Sequence, residues 1–460
     1  MATQLTTKPP VPEIKNERQW HFISRGAPLA GHLPEFRKDR LGLLRRMVAA
    51  GDVIALRFGP FPGILFNRPE HVQSILVEHA YDFDKGEAIH QTFRPVIGDG
   101  IFSSEGDSHR QQRKLMAPPF QPRHVASYAE IMGHYGEQIQ QTWPGDSMVD
   151  INQQMTSLTM SIIGKALFDA DVFTETDELG AAMSTTLEYA SYSLSKLIVW
   201  PYSWPLPRNR RTRRAVEILR THIQHFIDER RDTPPGRNDF LSILLQARDE
   251  DGQPMSDDQL MAECLTLFGA GHETTATGLT WTWYLLCQHS EIYRRVQQEV
   301  DGVLQGRTPT YADLARLPYC LQVFKEALRL FPPAYVFSRR ALHDVEIDGY
   351  LVRKNQVVLL APYTLHRREE FFPLPEKFDP ERFSPEREKR LPRHAYLPFG
   401  AGPRICIGNH FAMMEGHLLL ATLAQRISFV LAPGQKLTVD PVHHLTLRPA
   451  GALNVTVRRR

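Results

Sequence analysis

Phe399-Gly400-Ala401-Gly402-Pro403-Arg404-Ile405-Cys406-Ile407-Gly408 is the run from which the rest of the chain is read. It sets one cysteine among glycines, a proline and an arginine. An apolar helical pattern follows at once in Phe411, Ala412, Met413, Met414, Leu418, Leu419 and Leu420. A cysteine in a glycine-shaped loop before a helix meets the positive end of the helix dipole. That setting favours thiolate, the form that binds metal. Glycines let the backbone turn sharply and bring N–H groups near the sulfur, which tunes a thiolate ligand. Phe399 is placed to shield the sulfur from water. The alternative is a buried free cysteine in a strand-to-helix turn. Cys264, Cys287 and Cys320 have no such frame and read as core thiols.

The run resembles the haem-ligand loop of the cytochrome P450 family, in which Phe, Gly, Arg, Cys and Gly stand at these spacings. The resemblance implies that Cys406 is the axial thiolate of haem b (iron-protoporphyrin IX), with Phe399, Gly402 and Gly408 around the cofactor. Such a thiolate pushes electron density onto iron and favours O–O cleavage. The implied fold is mainly α with a smaller β lobe. A single haem-thiolate domain over 35–460 would hold haem between a distal helix and the cysteine loop, after a lead-in over 1–34.

The bulk numbers fit that reading. The 460 residues are 42% hydrophobic and 23% charged, a globular composition. Length alone allows about two to four domains. A net charge of +2 argues against nucleic acid as a partner. Four cysteines without paired spacing fit a reducing compartment, so a cytoplasmic setting is expected. No stretch reaches the roughly 18 apolar residues of a membrane span, and the N-terminus shows no anchor. The expectation is a soluble, bacterial-type member.

Along the chain, 53–58 and 63–66 flank Gly59-Pro60-Phe61-Pro62 and predict a hairpin. His71 to His79 reads as helix. Residues 84–102, with Gly86, Gly98 and Gly100, read as an irregular loop, which by resemblance covers the distal side. From about 106 to 330 the pattern is helical, with proline breaks at 201–207 and 234–235. The segment 183–230 resembles the family's lid helices, and its cluster of Arg208, Arg210, Arg211, Arg213 and Arg214 reads as a solvated helix start. Strands are expected at 345–350, 357–360, 445–448 and 453–457, and little periodicity over 367–398.

Ser256 and Gln259 form a capping box that opens a buried helix from about Asp257 to His289. In its middle sits Ala270-Gly271-His272-Glu273-Thr274-Thr275. Ala270 and Gly271 leave room beside the helix, and Thr274 can bond back to the Ala270 carbonyl. A polar patch inside a buried helix is costly unless used or paired. The patch matches the family's oxygen-activation motif. The resemblance implies that Thr274 hydrogen-bonds the oxygen being activated and that Glu273 relays protons. A structural ion pair at Glu273 is the alternative.

Glu326 and Arg329, three apart on one helix, share a face. By resemblance they form a buried network with Arg382 of Phe378-Asp379-Pro380-Glu381-Arg382-Phe383. Haem carboxylates need basic partners. By motif position these are Arg404, Arg339, Arg113 and His109, with Arg340 as the neighbour of Arg339. His109 stands where many members have Trp.

The implied activity is insertion of one oxygen atom from O2 into an apolar small molecule, terpenoid or lipid-like. By resemblance the pocket is lined by Phe93, Ile97, Ile101, Leu187, Leu267, Ala270, Ala334, Val336 and Leu445. A fatty acid is the competing substrate, with Arg94 available at the mouth. No flavin, nicotinamide or iron–sulfur motif is present, so electrons would come from a ferredoxin or flavodoxin with its reductase. Arg110, Lys114, Arg387, Lys389, Arg390 and Arg393 would give that partner a basic face. Alternatives on the same fold are a peroxide-driven oxygenase, a non-oxidative haem enzyme and a non-catalytic haem sensor.

Overall fold

The computed structural model describes residues 18–59, 61–171, 176–196, 200–232, 239–435, 437, 439 and 445–460. Its axis is the helix Asp257–Gln288, whose apolar residues are buried on every face. Ser256 caps it by accepting the Gln259 N–H at 3.2 Å, half of the expected capping box. Helices Ile151–Phe168, Pro318–Leu330 and Asn409–Arg426 pack against it. Two glycines let them close. A Cβ on Gly416 would lie 2.2 Å from the Phe324 ring, and one on Gly278 3.1 Å from Leu328 Cδ2 and 3.5 Å from the same ring. Phe324 thus wedges between the axial helix and the helix that follows Cys406. Filling either space would overpack a full core.

The smaller lobe is a six-stranded sheet in the order 21–22, 53–58, 61–66, 357–360, 337–341, 83–84. The expected hairpin forms, with Val53 opposite Phe66 and Phe58 opposite Phe61. Two separate cores lie on this lobe. A three-stranded sheet joins 427–431, 454–459 and 148–150, and a two-stranded one joins 345–347 and 350–352. The expected lead-in is partly structured: His21 and Phe22 pair parallel with Ile54 and Ala55.

Two local expectations are corrected. Residues Glu87–Ile97 are a helix rather than loop, flanked by Gly86 at φ 90° and Gly98 at φ 80°. Two of the three glycines that read as loop, Gly86 and Gly98, are its ends, and His90, Phe93 and Val96 give it a buried face. Residues 445–448 are a bend followed by irregular backbone, not strand. Their backbone is taken up elsewhere: Leu447 N–H donates to Pro333, and the Leu447 carbonyl accepts Trp281 Nε1 at 2.6 Å. The break at 201–207 separates helices Thr176–Leu194 and Pro207–Asp232. The one at 234–235 lies outside the described residues. Residues 367–398 are mostly turns, with short helical pieces at Pro380–Phe383 and Pro385–Glu388. Among the described residues no helix is long and apolar enough to cross a membrane.

Candidate active site

The cysteine loop is fixed by its own backbone. Gly400 and Gly402 both stand at φ 70°, a conformation that side chains disfavour. A Cβ on Gly402 would lie 1.7 Å from the Leu76 carbonyl oxygen. Cys406 N–H donates to the Phe399 carbonyl at 2.9 Å, and Arg113 Nη1 donates to the Ile405 carbonyl at 2.5 Å. Gly408 has an ordinary φ of −87°, and its amide is directed at the Cys406 sulfur. Of the four cysteines Cys406 alone is exposed. Burial pushes the Cys287 thiol up to about 12 and Cys264 and Cys320 well above their ordinary value. The surrounding protein pushes Cys406 up as well, against the Gly408 amide and the Arg113 charge. The Gly408 amide is the backbone N–H that the sequence reading expects near the sulfur, and it acts toward the thiolate while burial opposes it. A cation on the sulfur tips that balance, because a coordinating thiol is deprotonated outright.

On the axial helix, Thr274 Oγ1 donates to the Ala270 carbonyl at 2.9 Å, the expected back-bond. The helix runs through it without a break. Ala270 is exposed on an otherwise buried stretch. Gly271 is a correction: a Cβ there would lie 2.9 Å from Ile163 Cδ1, so its missing side chain admits the Ile151–Phe168 helix. Glu273 is buried and paired. Its Oε1 accepts Thr446 Oγ1 at 2.7 Å and faces Arg448 Nε at 3.1 Å. His272 is turned away, with Nδ1 donating to the Phe268 carbonyl at 2.8 Å.

A cationic cluster surrounds buried His109. Burial, then Lys85, Arg404, Arg113 and Arg339, push its pKa down to about 3, so the ring is neutral. Lys85 is itself pushed down to about 7, first by burial, and donates to the Ile101 and Ser104 carbonyls. Glu105 is the facing acid and pairs with Arg404. Arg339 is half-buried, with Nη1 on the Ser338 carbonyl. Arg340 takes no part, because Asp84 holds it.

The expected ion-pair network is present. Arg329 donates to Glu326 through Nε at 2.7 Å and Nη2 at 2.9 Å, both side chains fully buried. Arg382 Nε lies 3.4 Å from Glu326 Oε1, and Asp379 N–H donates to the same oxygen at 2.8 Å. Arg329 Nη1 donates to the His366 carbonyl.

Comparison with known proteins decides the family. The family description "Cytochrome P450" matches residues 23–454. The chain belongs to the cytochrome P450 family. It is 38% identical over 437 residues to "Cyclooctatin synthase" of Streptomyces melanosporofaciens, covering 94% of this chain and 95% of that one. It is 34% identical over 429 residues to "Cyclooctat-9-en-7-ol 5-monooxygenase" of the same organism, covering 92% of each. "Pentalenene oxygenase" of Streptomyces avermitilis is 30% identical over 409 residues, covering 88% and 90%. Among solved structures, "Retinoic acid bound cyanobacterial CYP120A1" aligns with a TM-score of 0.86 at 28% identity, covering 97% of this chain and 100% of that one. The chain is thus a haem-iron monooxygenase that works with substrate, O2 and a redox partner.

The residues present fit haem. An accessible thiol lies in a fixed loop, and the half-buried cations around His109 outnumber the acid paired with them. Arg404 Nη1 is buried with no hydrogen-bond partner among the described residues. Such a surplus suits two carboxylates.

The P450 pocket expectations are partly brought together. Phe93 and Ile97 on Glu87–Ile97, Ile101 after it, Leu187 on Thr176–Leu194 and Leu267 on the axial helix belong to elements that pack on one another. Phe93 meets Phe102 edge-on at 4.7 Å. Val336 instead packs in a core of the sheet lobe, Ala334 is exposed, and Leu445 directly precedes Thr446, the partner of Glu273. The sequence reading missed Lys85, Glu105, His366, Arg448 and Glu415. Only Glu415, an acid inside the apolar run from Phe411 to Leu420, carried a signal.

Proposed function

We propose that this P450 hydroxylates a cyclic terpenoid, R–H + O2 + 2 e⁻ + 2 H⁺ giving R–OH + H2O. The accessible Cys406 together with a half-buried cation surplus carries the reading. The apolar residues of the Glu87–Ile97 and axial helices and the names of the terpenoid-oxidising relatives support the substrate class. The competing fatty acid finds Arg94 engaged by Asp99 at 3.1 Å.

Haem b, held by Cys406, supplies dioxygen activation when bound. The chain's own groups do the rest. The Gly408 amide and Arg113 steady negative charge on the Cys406 sulfur. Arg404, Arg339, Arg113 and Lys85 would neutralise the haem carboxylates, and the neutral His109 ring would donate a hydrogen bond to one of them. Thr274 donates its O–H to the Ala270 carbonyl, so its lone pairs accept a hydrogen bond from the reacting side. Glu273 has both contacts on Oε1, which leaves Oε2 to take up and pass on a proton.

The electron donor in this reading is an acidic ferredoxin or flavodoxin. The docking face is smaller than the sequence suggested. Lys114 is paired with Glu250 at 2.7 Å, Arg110 with Asp107, and Arg387 with Asp379 at 3.4 Å. Exposed Lys389, Arg390 and Arg393 remain. The four free cysteines fit a reducing, cytoplasmic setting.

The test is the dithionite-reduced, CO-bound spectrum, followed by product analysis with cyclic diterpene hydrocarbons and alcohols. A strongly red-shifted Soret band and a hydroxylated terpene support the reading. A histidine-type band removes the thiolate. A thiolate band with turnover of fatty acids alone removes the terpenoid.

A further inference from the structure

Glu105 is an acid set among the cations around His109, and neither the thiolate nor the proton path uses it. It is the N-cap residue of the helix Gly106–Met116, yet its side chain makes no capping bond. An N-cap side chain ordinarily accepts from the first turn of its own helix. Glu105 reaches across the chain instead. Its Oε1 accepts the Lys85 backbone N–H at 2.9 Å, with His90 Nε2 3.7 Å away, and its Oε2 pairs with Arg404 Nη2. The Glu105 and Arg404 side chains are only 20% and 12% exposed, so water screens this pair weakly. Nearby acids are held elsewhere. Asp84 pairs with Arg340, and Asp99 faces Arg94 at 3.1 Å. The charge of Glu105 falls on the cluster itself, where it acts on Lys85 and Arg339 as well as on Arg404.

The charges can be counted. Lys85, Arg113, Arg339 and Arg404 are the cations, and the His109 ring is neutral. Burial pushes Lys85 down to about 7, and carboxylates placed beside it would raise it again. Glu105 cancels one of the four and leaves three for the two haem carboxylates. One-electron reduction of haem iron adds a negative charge to the cofactor, and positive surroundings favour that step. We propose that Glu105 sets the reduction potential of the bound haem, holding it low by cancelling one of the cations that face the haem carboxylates. It is a positioning residue for electron uptake, acting through Arg404 and Lys85. A lower potential demands a stronger reductant, so this acid decides which donors can reduce the enzyme. The inference rests on haem being held by this cluster, which the reduced CO-bound spectrum checks separately, and it holds for whichever compound is oxidised.

The test is a spectroelectrochemical titration of the substrate-free holoenzyme beside E105Q, E105D, K85M and K85M/E105Q. E105Q keeps the shape and removes the charge. Its ferrous-to-ferric ratio at a fixed applied potential should rise about threefold or more. E105D keeps the charge and should stay close to wild type. K85M should lower the ratio, and K85M/E105Q, which removes one charge of each sign, should return toward wild type. An unchanged or lowered ratio in E105Q overturns the inference. Faster transfer of haem to apomyoglobin alongside an unchanged ratio would show that Glu105 is structural only. Should E105Q fail to keep haem, the step from K85M to K85M/E105Q reads the same charge in a second background. A rise there supports the inference, and no rise overturns it.

Discussion

Leu397 donates its backbone N–H to His366 Nε2 at 2.7 Å, while His366 Nδ1 lies 3.2 Å from the Arg329 carbonyl. Burial, then the Arg329 charge, push the His366 pKa down to about 3. The ring is therefore neutral, with Nδ1 donating and Nε2 accepting. A protonated ring could not accept from Leu397. The histidine couples the helix of the buried ion pair to the strand of chain that reaches Phe399 two residues later.

His366→Leu removes both bonds and leaves two buried backbone groups without partners, at about 1–3 kcal/mol each. The expected outcome is a lower melting temperature and a lower haem-to-protein ratio after purification. Wild-type values for both would show that the link does not support the cysteine loop.

The Glu326 carboxylate holds two arginines unequally. Arg329 is bidentate and fully buried, and Arg382 sits farther off at 3.4 Å. Glu326→Ala strands the Arg329 charge and should cost about 3–5 kcal/mol, with loss of haem incorporation. Arg382→Met leaves the closer pair intact and should cost less. Urea midpoints and haem content of the two variants check the order. A reversed order would make Arg382 the principal partner.

The sequence made the ion pair, the axial helix and the cysteine loop legible because each is a short run with fixed spacing. Glu326 and Arg329 share one helix, and Ala270 to Thr275 are contiguous. What escaped depends on contacts across the chain. His366 reads as an ordinary residue until Leu397 and Arg329 are placed beside it. Arg448 meets Glu273 only because residues 445–448 leave the sheet and bond to the axial helix. Gly271 was assigned to the wrong side because spacing gives a helix face but not the neighbour it meets, which is Ile163. Lys85 gained its place from the fold of the segment after it, the part of the chain read as a loop.

The glycines of the cysteine loop are not equivalent. Gly402→Ala combines φ 70° with a Cβ 1.7 Å from the Leu76 oxygen, so the backbone must move. Gly408→Ala has φ −87° and meets the Phe120 ring at 3.6 Å, an ordinary contact. The first variant should yield little haem-loaded protein, and the second should melt close to wild type. Differential scanning calorimetry of both decides. Equal losses would mean that the second glycine is required for something other than its backbone.

Glu415 lies on the helix after the cysteine loop, buried, with neither carboxyl oxygen in a hydrogen bond of full geometry. Thr275 favours its ionised form, but burial outweighs it and pushes the pKa from 4.5 up to about 8. The sign follows directly. Between those two values the native chain holds a proton that the unfolded chain has released, so stability is full at low pH and falls as pH rises through the window. The slope is at most about 1.4 kcal/mol per pH unit from this group. Glu415→Gln keeps the shape without the titration, so its stability should decline less than wild type between pH of about 5 and 8. Urea unfolding of both proteins across that range measures the difference. Parallel curves would mean that Glu415 is ionised in the native core and that a partner other than Thr275 holds its charge.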